Sequence, residues 1–260
     1  MKQSAFIVIL FVIAMAVSYG IYAGVFGAEA NFAKDPATGA VIYDKPVNIP
    51  GMVYTGGPLI ALLIALSIMD LAIVVERTLS LRKAAGKRSV QKFFTDVLAL
   101  LRNNKIDDAL KACDAQRGSV ANIIRAALTR YKEVQADGVD KEKALGEVQR
   151  SVEEALLLET PLLEKNLIAL STIASIATMV GLLGTVIGMI RSFAALSHAG
   201  QVDALALATG ISEALFNTAG GLIVAIIGIV AYNFFTNKVD NFTFQVDEAS
   251  YNVIQLLKSK

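Results

Sequence analysis

Four stretches of this chain stay apolar for about 20 residues or more, the length at which a helix spans the hydrocarbon core of a bilayer. They fall at residues 1–28, 56–76, 167–195 and 207–235, and few charges interrupt them. Each is therefore expected to be a membrane-spanning helix, and the segments between them are assigned to one membrane face or the other. Composition agrees: 55% of residues are hydrophobic and 18% charged, with a mean hydropathy of +0.56. Soluble domains are usually less apolar and more charged. The expected fold is all-α, an integral membrane protein in contact with the lipid bilayer.

The formal net charge of +1 conceals a local asymmetry. Directly after the second stretch comes "ERTLSLRKAAGKR", with Arg77, Arg82, Lys83, Lys87 and Arg88. Basic clusters beside a membrane helix mark its cytoplasmic end. Lys238, Lys258 and Lys260 follow the fourth stretch. One topology satisfies both: termini inside, residues 29–55 and 196–206 as periplasmic loops, residues 77–166 as a cytoplasmic helical domain, and residues 236–260 as a cytoplasmic C-terminal helix. Small residues around Ala28 and Ala30 also allow the first stretch to be a cleaved signal peptide, but its length favours an uncleaved anchor.

Between the first two spans the chain is rich in Pro and Gly, which suggests a loop with a short extended piece at "AVIYD". In the middle domain, "QKFFTDVLALLR", "KIDDALKACDAQ" and "SVANIIRAALTRYK" place apolar residues three and four apart, the helical period. "RGS" and "ADGVDKE" read as breaks, with Asp140 as the N-cap of the next helix. That helix is expected to feed straight into the third span, with Pro161 kinking it or marking the boundary.

Several functions find no support. No basic tract interleaves with aromatics, so nucleic acid is not an expected partner. The single cysteine, Cys113, reads as a small buried apolar residue rather than a catalytic thiol. The single histidine, His198, reads as a loop residue beside Gly200. With no phosphate loop, metal-ligand cluster or nucleophile beside a base, the chain is expected to be no enzyme and to hold no cofactor.

The last two spans carry residues that a plain lipid anchor does not need. In the third, Thr178, Thr185 and Ser192 recur every seven residues and share one helix face. Gly181, Gly184 and Gly188 run alongside, and glycines at such spacing let helix backbones approach closely. Tight packing alone accounts for this pattern. The fourth span adds Glu213 and Asn217, four apart on one face, with Thr218 at its edge and Gly220, Gly221 and Gly228 beyond. An acid inside a span is costly and faces a bundle interior or a wet cavity. It is either a structural hydrogen bond between helices or a functional group, and the second reading is preferred. Asp70, in the second span, lies about 10 Å in from Arg77 at helical rise. It is either part of an ion pathway or, by preference, faces a neighbouring subunit or water near the cytoplasmic interface.

Three ordered stretches together resemble one family. "ERTLSLRK", "IASIATMVGLLGTVIGMIRSF" and "GISEALFNTAGGLIVAIIGIVAYNFF" are similar to motifs of the MotA/TolQ/ExbB proton-channel family, with "ALKACDAQRGSVANIIRAAL" between them. The resemblance runs from Gly57 to the C-terminus, and the ExbB and TolQ branches look closer than flagellar MotA. It implies an inner-membrane motor subunit, a homopentamer ringed around two helices of an ExbD- or TolR-like single-span partner. Protons would be the coupling ion, and a TonB-like protein would receive the work. By motif position, Thr185 and Thr218 would line the pore and Glu213 would be the family's acidic residue. Asn217 and Thr178 would join them in the pathway, with Gly181, Gly184, Gly188 and Gly221 packing the helices.

The chain departs from the family pattern at several places. Thr178 stands where a proline is usual, and a proline expected beside Gly228 is missing. Asp70 occupies a normally apolar position, and the first span and its loop are extra. Competing readings are a TolQ-like envelope-maintenance motor, a flagellar-type stator and a non-conducting membrane scaffold.

Overall fold

Each apolar stretch forms a helix in the computed structural model, which describes residues 2–198 and 204–258. In chain order, α1 (Lys2–Ile21) passes into a π-helical turn, Tyr22–Phe26. Two short strands follow, β1 (Phe32–Lys34) and β2 (Val41–Pro46), then α2 (Ile49–Tyr54) and α3 (Pro58–Ala85). The middle of the chain forms α4 (Val90–Arg102), α5 (Ile106–Gln116), α6 (Ser119–Ala136) and α7 (Lys141–Glu164). Last come α8 (Leu167–His198) and α9 (Ala204–Lys258). Among the described residues, four helices are long and apolar enough to cross a membrane. The chain divides into one unit of Met1–Val74 with Ile168–Tyr232, and another of Val75–Leu167 with Asn233–Lys260.

In the first unit, the segment before α3 is a built cap rather than a loose loop. β1 and β2 pair antiparallel, with a bulge between Phe32 and Ala33. Asn31, almost fully buried, donates to the carbonyls of Val25 and Phe26 at 2.7 and 3.0 Å. These carbonyls lie at the end of the π-helical turn, where helix geometry leaves acceptors unpaired. The Asn31 oxygen accepts from the Asn48 amide at 2.9 Å, and Asn48 in turn caps α2 by accepting from Gly51 N–H. Tyr22 stacks on Tyr54 at 4.6 Å, and Phe32 meets Tyr54 edge-on. Gly57, at φ +74°, turns the chain into Pro58, whose missing N–H is not needed at a helix start.

The second unit has its own apolar core. Phe93, Val97 and Leu101 of α4 meet Ala109 and Cys113 of α5, Ile124 and Leu128 of α6, and Val148 and Val152 of α7. Val246, Ala249, Val253 and Leu257 complete it, at the three-and-four spacing of one face of α9. Gln116 closes the turn after α3: its side-chain amide donates to Ala85 O and Arg88 O, and its oxygen accepts from Arg88 N–H. Asp140 caps α7 by accepting from Glu142 N–H at 3.3 Å.

Three expectations need correction. α7 runs through Pro161 and ends three residues later, at Glu164, so the proline is not the boundary. Asn166, at φ +63°, makes the break before α8, a left-handed conformation that asparagine tolerates. His198 is the last residue of α8, not a loop residue.

That break leaves helix-end carbonyls needing donors, and Arg77 supplies one. Its guanidinium donates to Leu163 O at 3.2 Å while forking onto both oxygens of the neighbouring Glu76. The Asn166 amide donates to the same carboxylate at 3.3 Å. Arg77 is 1% exposed, so its charge depends on these contacts.

Burial pushes the Cys113 thiol up to about 12, against about 8.5 for a free cysteine. The folded state thus resists forming the thiolate, while the unfolded chain forms it above about pH 8.5. Stability of this unit is expected to be undiminished below that pH and to fall as pH rises above it. Alkaline melting of the solubilised protein checks this, and Cys113→Ala should flatten the slope. Iodoacetamide should label native Cys113 at least about 100-fold more slowly than the unfolded chain.

Candidate functional site

The two most polar spans, α8 and α9, meet backbone to backbone. A Cβ placed on Gly181 would stand 3.0 Å from Asn217 O and 3.2 Å from Gly221 Cα. On Gly188 it would stand 2.6 Å from Gly210 O and 2.9 Å from Ala214 N. Gly221 faces Ala177 O at 2.6 Å by the same measure, and Gly184 lies directly against the Asn217 side chain. Most of these neighbours are backbone atoms, which cannot rotate away.

Gly188→Val is therefore expected to force the two helices apart and to destabilise the protein by about 1–3 kcal/mol, the usual range for overpacking. Gly146 in α7 has nothing within 4 Å. Gly146→Ala should leave the melting temperature unchanged or raise it, since alanine is the better helix former. Thermal unfolding in detergent reads both.

The hydroxyls fall into two groups. Thr178 donates to Ala174 O at 3.0 Å and Thr185 to Leu182 O at 2.6 Å, both within α8. Thr218 instead crosses the pair and donates to Gly181 O at 3.2 Å. Ser192 reaches both Gly188 O and Leu207 O, the second across to α9. All three threonines are half-buried, whereas Ser192 is buried.

Glu213 is buried and paired. The Arg191 guanidinium lies 2.5 and 2.6 Å from its two oxygens. Arg191 is 56% exposed against 7% for Glu213, so one end of the pair reaches out of the protein. Sequence reasoning passed over Arg191 because 22 residues and the α8–α9 connection separate it from its partner. Its place two residues beyond "GLLGTVIGM" was the available hint. Asn217, fully buried one turn from Glu213, donates to Gly56 O at 2.8 Å and to Glu213 O at 3.0 Å. It thereby ties α9 to the start of α3. The pair opens into a 440 Å³ cavity lined also by Tyr22, Tyr43, Tyr54 and Thr209.

Asp70 lies elsewhere in this unit. It is fully buried within the chain's own helices, and its Oδ2 would stand 3.0 Å from a Cβ on Gly228. The preferred expectation, that it faces a neighbouring subunit or water, is corrected by that position. The absence of a side chain at Gly228 makes room for the carboxyl.

These features define an all-α integral membrane protein whose two hydroxyl-bearing spans pack on glycines beside an embedded acid–guanidinium pair. The chain belongs to the MotA/TolQ/ExbB proton channel family, whose sequence profile matches residues 115–248. It is 27% identical over 221 residues to the biopolymer transport protein ExbB of Neisseria meningitidis serogroup A, covering 82% of this chain and 99% of that protein. It is 31% identical over 177 residues to the Tol-Pal system protein TolQ of Pseudomonas aeruginosa, covering 68% and 76%. The TolQ protein of Haemophilus influenzae is 33% identical over 185 residues, covering 70% and 79%.

Proposed function

We propose that this chain is the wall-forming subunit of a motor driven by the proton-motive force in a bacterial inner membrane. The observation that carries this reading is the α8–α9 pair, with the hydroxyls of Thr178, Thr185 and Thr218 half-buried on an otherwise apolar surface. Each hydroxyl spends its proton on a backbone carbonyl and keeps lone pairs that can accept. A partner's protonated carboxyl can donate to those lone pairs. Its ionised form can accept a hydrogen bond from the hydroxyl once the threonine swings off its carbonyl. Such a wall serves both protonation states without placing a charge in lipid.

In this reading five copies surround the helices of an ExbD- or TolR-like dimer, with both termini and residues 77–166 cytoplasmic. The proton is the coupling ion, and the partner's membrane carboxyl carries it. One proton crossing 100 mV releases about 2.3 kcal/mol, enough to bias a conformational step. Similarity along nearly the whole length of an ExbB protein supports delivery of that work to a TonB-like protein, which energises outer-membrane transport. The higher identity to TolQ proteins supports a second reading, an envelope-maintenance motor with the same wall.

Native mass spectrometry of the complex, extracted after co-expression with such a partner, is expected to give five copies of this chain with two of the partner. A complex without partner, or with another ratio, overturns the assembly. Deleting the gene should abolish TonB-dependent uptake, whereas leakage of periplasmic protein with normal uptake would select the second reading.

A further inference from the structure

We propose that Asp70 is a proton-binding site carried by this chain itself, enclosed between α3, α8 and α9 and separate from the Arg191–Glu213 pair. Along α9, the Gly228 contact lies 15 residues from Glu213, about 22 Å at helical rise.

Three observations carry the assignment. First, Asp70 is 0% exposed, and neither carboxyl oxygen has a hydrogen-bond partner. Assembly with other chains can only bury it further. Second, among the described residues no counter-charge faces it. On α3, Asp70 is the only titratable residue before Glu76, and α8 has none between Leu167 and Arg191. On α9, the titratable residues nearest in sequence to Gly228 are Tyr232, one turn beyond, and Lys238, almost three turns beyond, with Glu213 about four turns before it. Third, the site is shaped for a carboxyl. A Cβ on Gly228 would crowd Asp70 Oδ2, Ala174 Cβ and Leu170 O, each at 3.0 or 3.1 Å. Thr178 donates to the carbonyl of the same Ala174 at 3.0 Å.

An ionised carboxylate without donors in an apolar interior is heavily penalised, whereas a neutral carboxyl is tolerated. The enclosed site therefore holds the acid form. Release passes the proton to water and leaves a carboxylate that needs donors, so water must enter between α3 and α9. Proton loss and separation of these helices are one event, and rebinding closes them. The site is thus a proton-linked latch within each subunit, and it stands whether or not the chain works as a motor.

Infrared spectroscopy of the full chain in lipid vesicles at neutral pH tests it directly. Wild-type protein is expected to show the C=O stretch of a neutral carboxylic acid. The band should shift when aspartate side chains are labelled with carbon-13, and it should be lost in Asp70→Asn. The isotope measurement needs no variant, so a folding defect in Asp70→Asn does not blunt the test. If labelled aspartate contributes only carboxylate bands, Asp70 is ionised and the proposal is overturned. A neutral band that survives in Asp70→Asn belongs to another residue and overturns it equally.

Discussion

Thr218→Ala and Glu213→Gln, each alone, are expected to abolish uptake driven by the proton-motive force while the assembled complex persists in the membrane. Both changes are mild for the fold. Thr218 contributes one hydrogen bond between helices, to Gly181 O, and losing such a bond costs about 1 kcal/mol. Glutamine keeps the volume of Glu213 and can still accept from Arg191. The guanidinium it leaves without a counter-charge is more than half exposed and keeps the glutamine oxygen as an acceptor. A large loss of uptake with normal abundance would therefore report on the proton path and not on stability. Uptake of a TonB-dependent cargo, measured beside quantitative blotting of the complex, separates the two. Normal uptake in both variants would reduce these residues to helix packing and leave the scaffold reading in place.

Arg77→Ala is expected to act in the opposite way, removing the folded protein rather than its activity. The guanidinium is buried, holds both oxygens of Glu76 and supplies the donor that Leu163 O lacks at the α7–α8 break. Leaving Leu163 O without its donor and the partly exposed Glu76 carboxylate without its counter-charge costs about 1–3 kcal/mol. Against a total stability of about 5–15 kcal/mol, that is a large share. Arg77→Lys should recover only part of it, since an ammonium cannot fork onto a carboxylate and also reach a carbonyl. Abundance and thermal melting in detergent read both variants. A melting curve for Arg77→Ala that overlays the wild type would show that the α7–α8 break holds without this donor.

What could be read in advance divides along physical lines. The spans, the basic cluster after Val75 and the helical middle are properties of local composition and period, and α1, α3 and α4 to α9 follow them. The Asp140 cap was legible because its donor lies two residues away. The pairing of Arg191 with Glu213 joins residues on different helices, and no periodicity signals it. Asn31 and Asn48, 17 residues apart, gave no sign of building a cap. Asp70 was conspicuous as an acid in a span, yet its surroundings depend on Gly228, 158 positions later. Pro161 reads in the sequence as a kink or a boundary, and the boundary falls instead at Asn166, whose left-handed backbone is the firmer stop.

The cap between α1 and α3 also offers an experimental handle. Its hairpin tip, Asp35 to Ala40, is closed by Asp35 N–H to Ala40 O and Gly39 N–H to Asp35 O, both at 2.8 Å. Gly39 sits at φ +68° with nothing within 4 Å of where a side chain would be. A short epitope inserted between Thr38 and Gly39 would lengthen the tip while leaving the Asn31–Asn48 link and the tyrosine stack in place. An antibody against it, applied to spheroplasts and then to inverted vesicles, would identify the membrane face on which this cap lies.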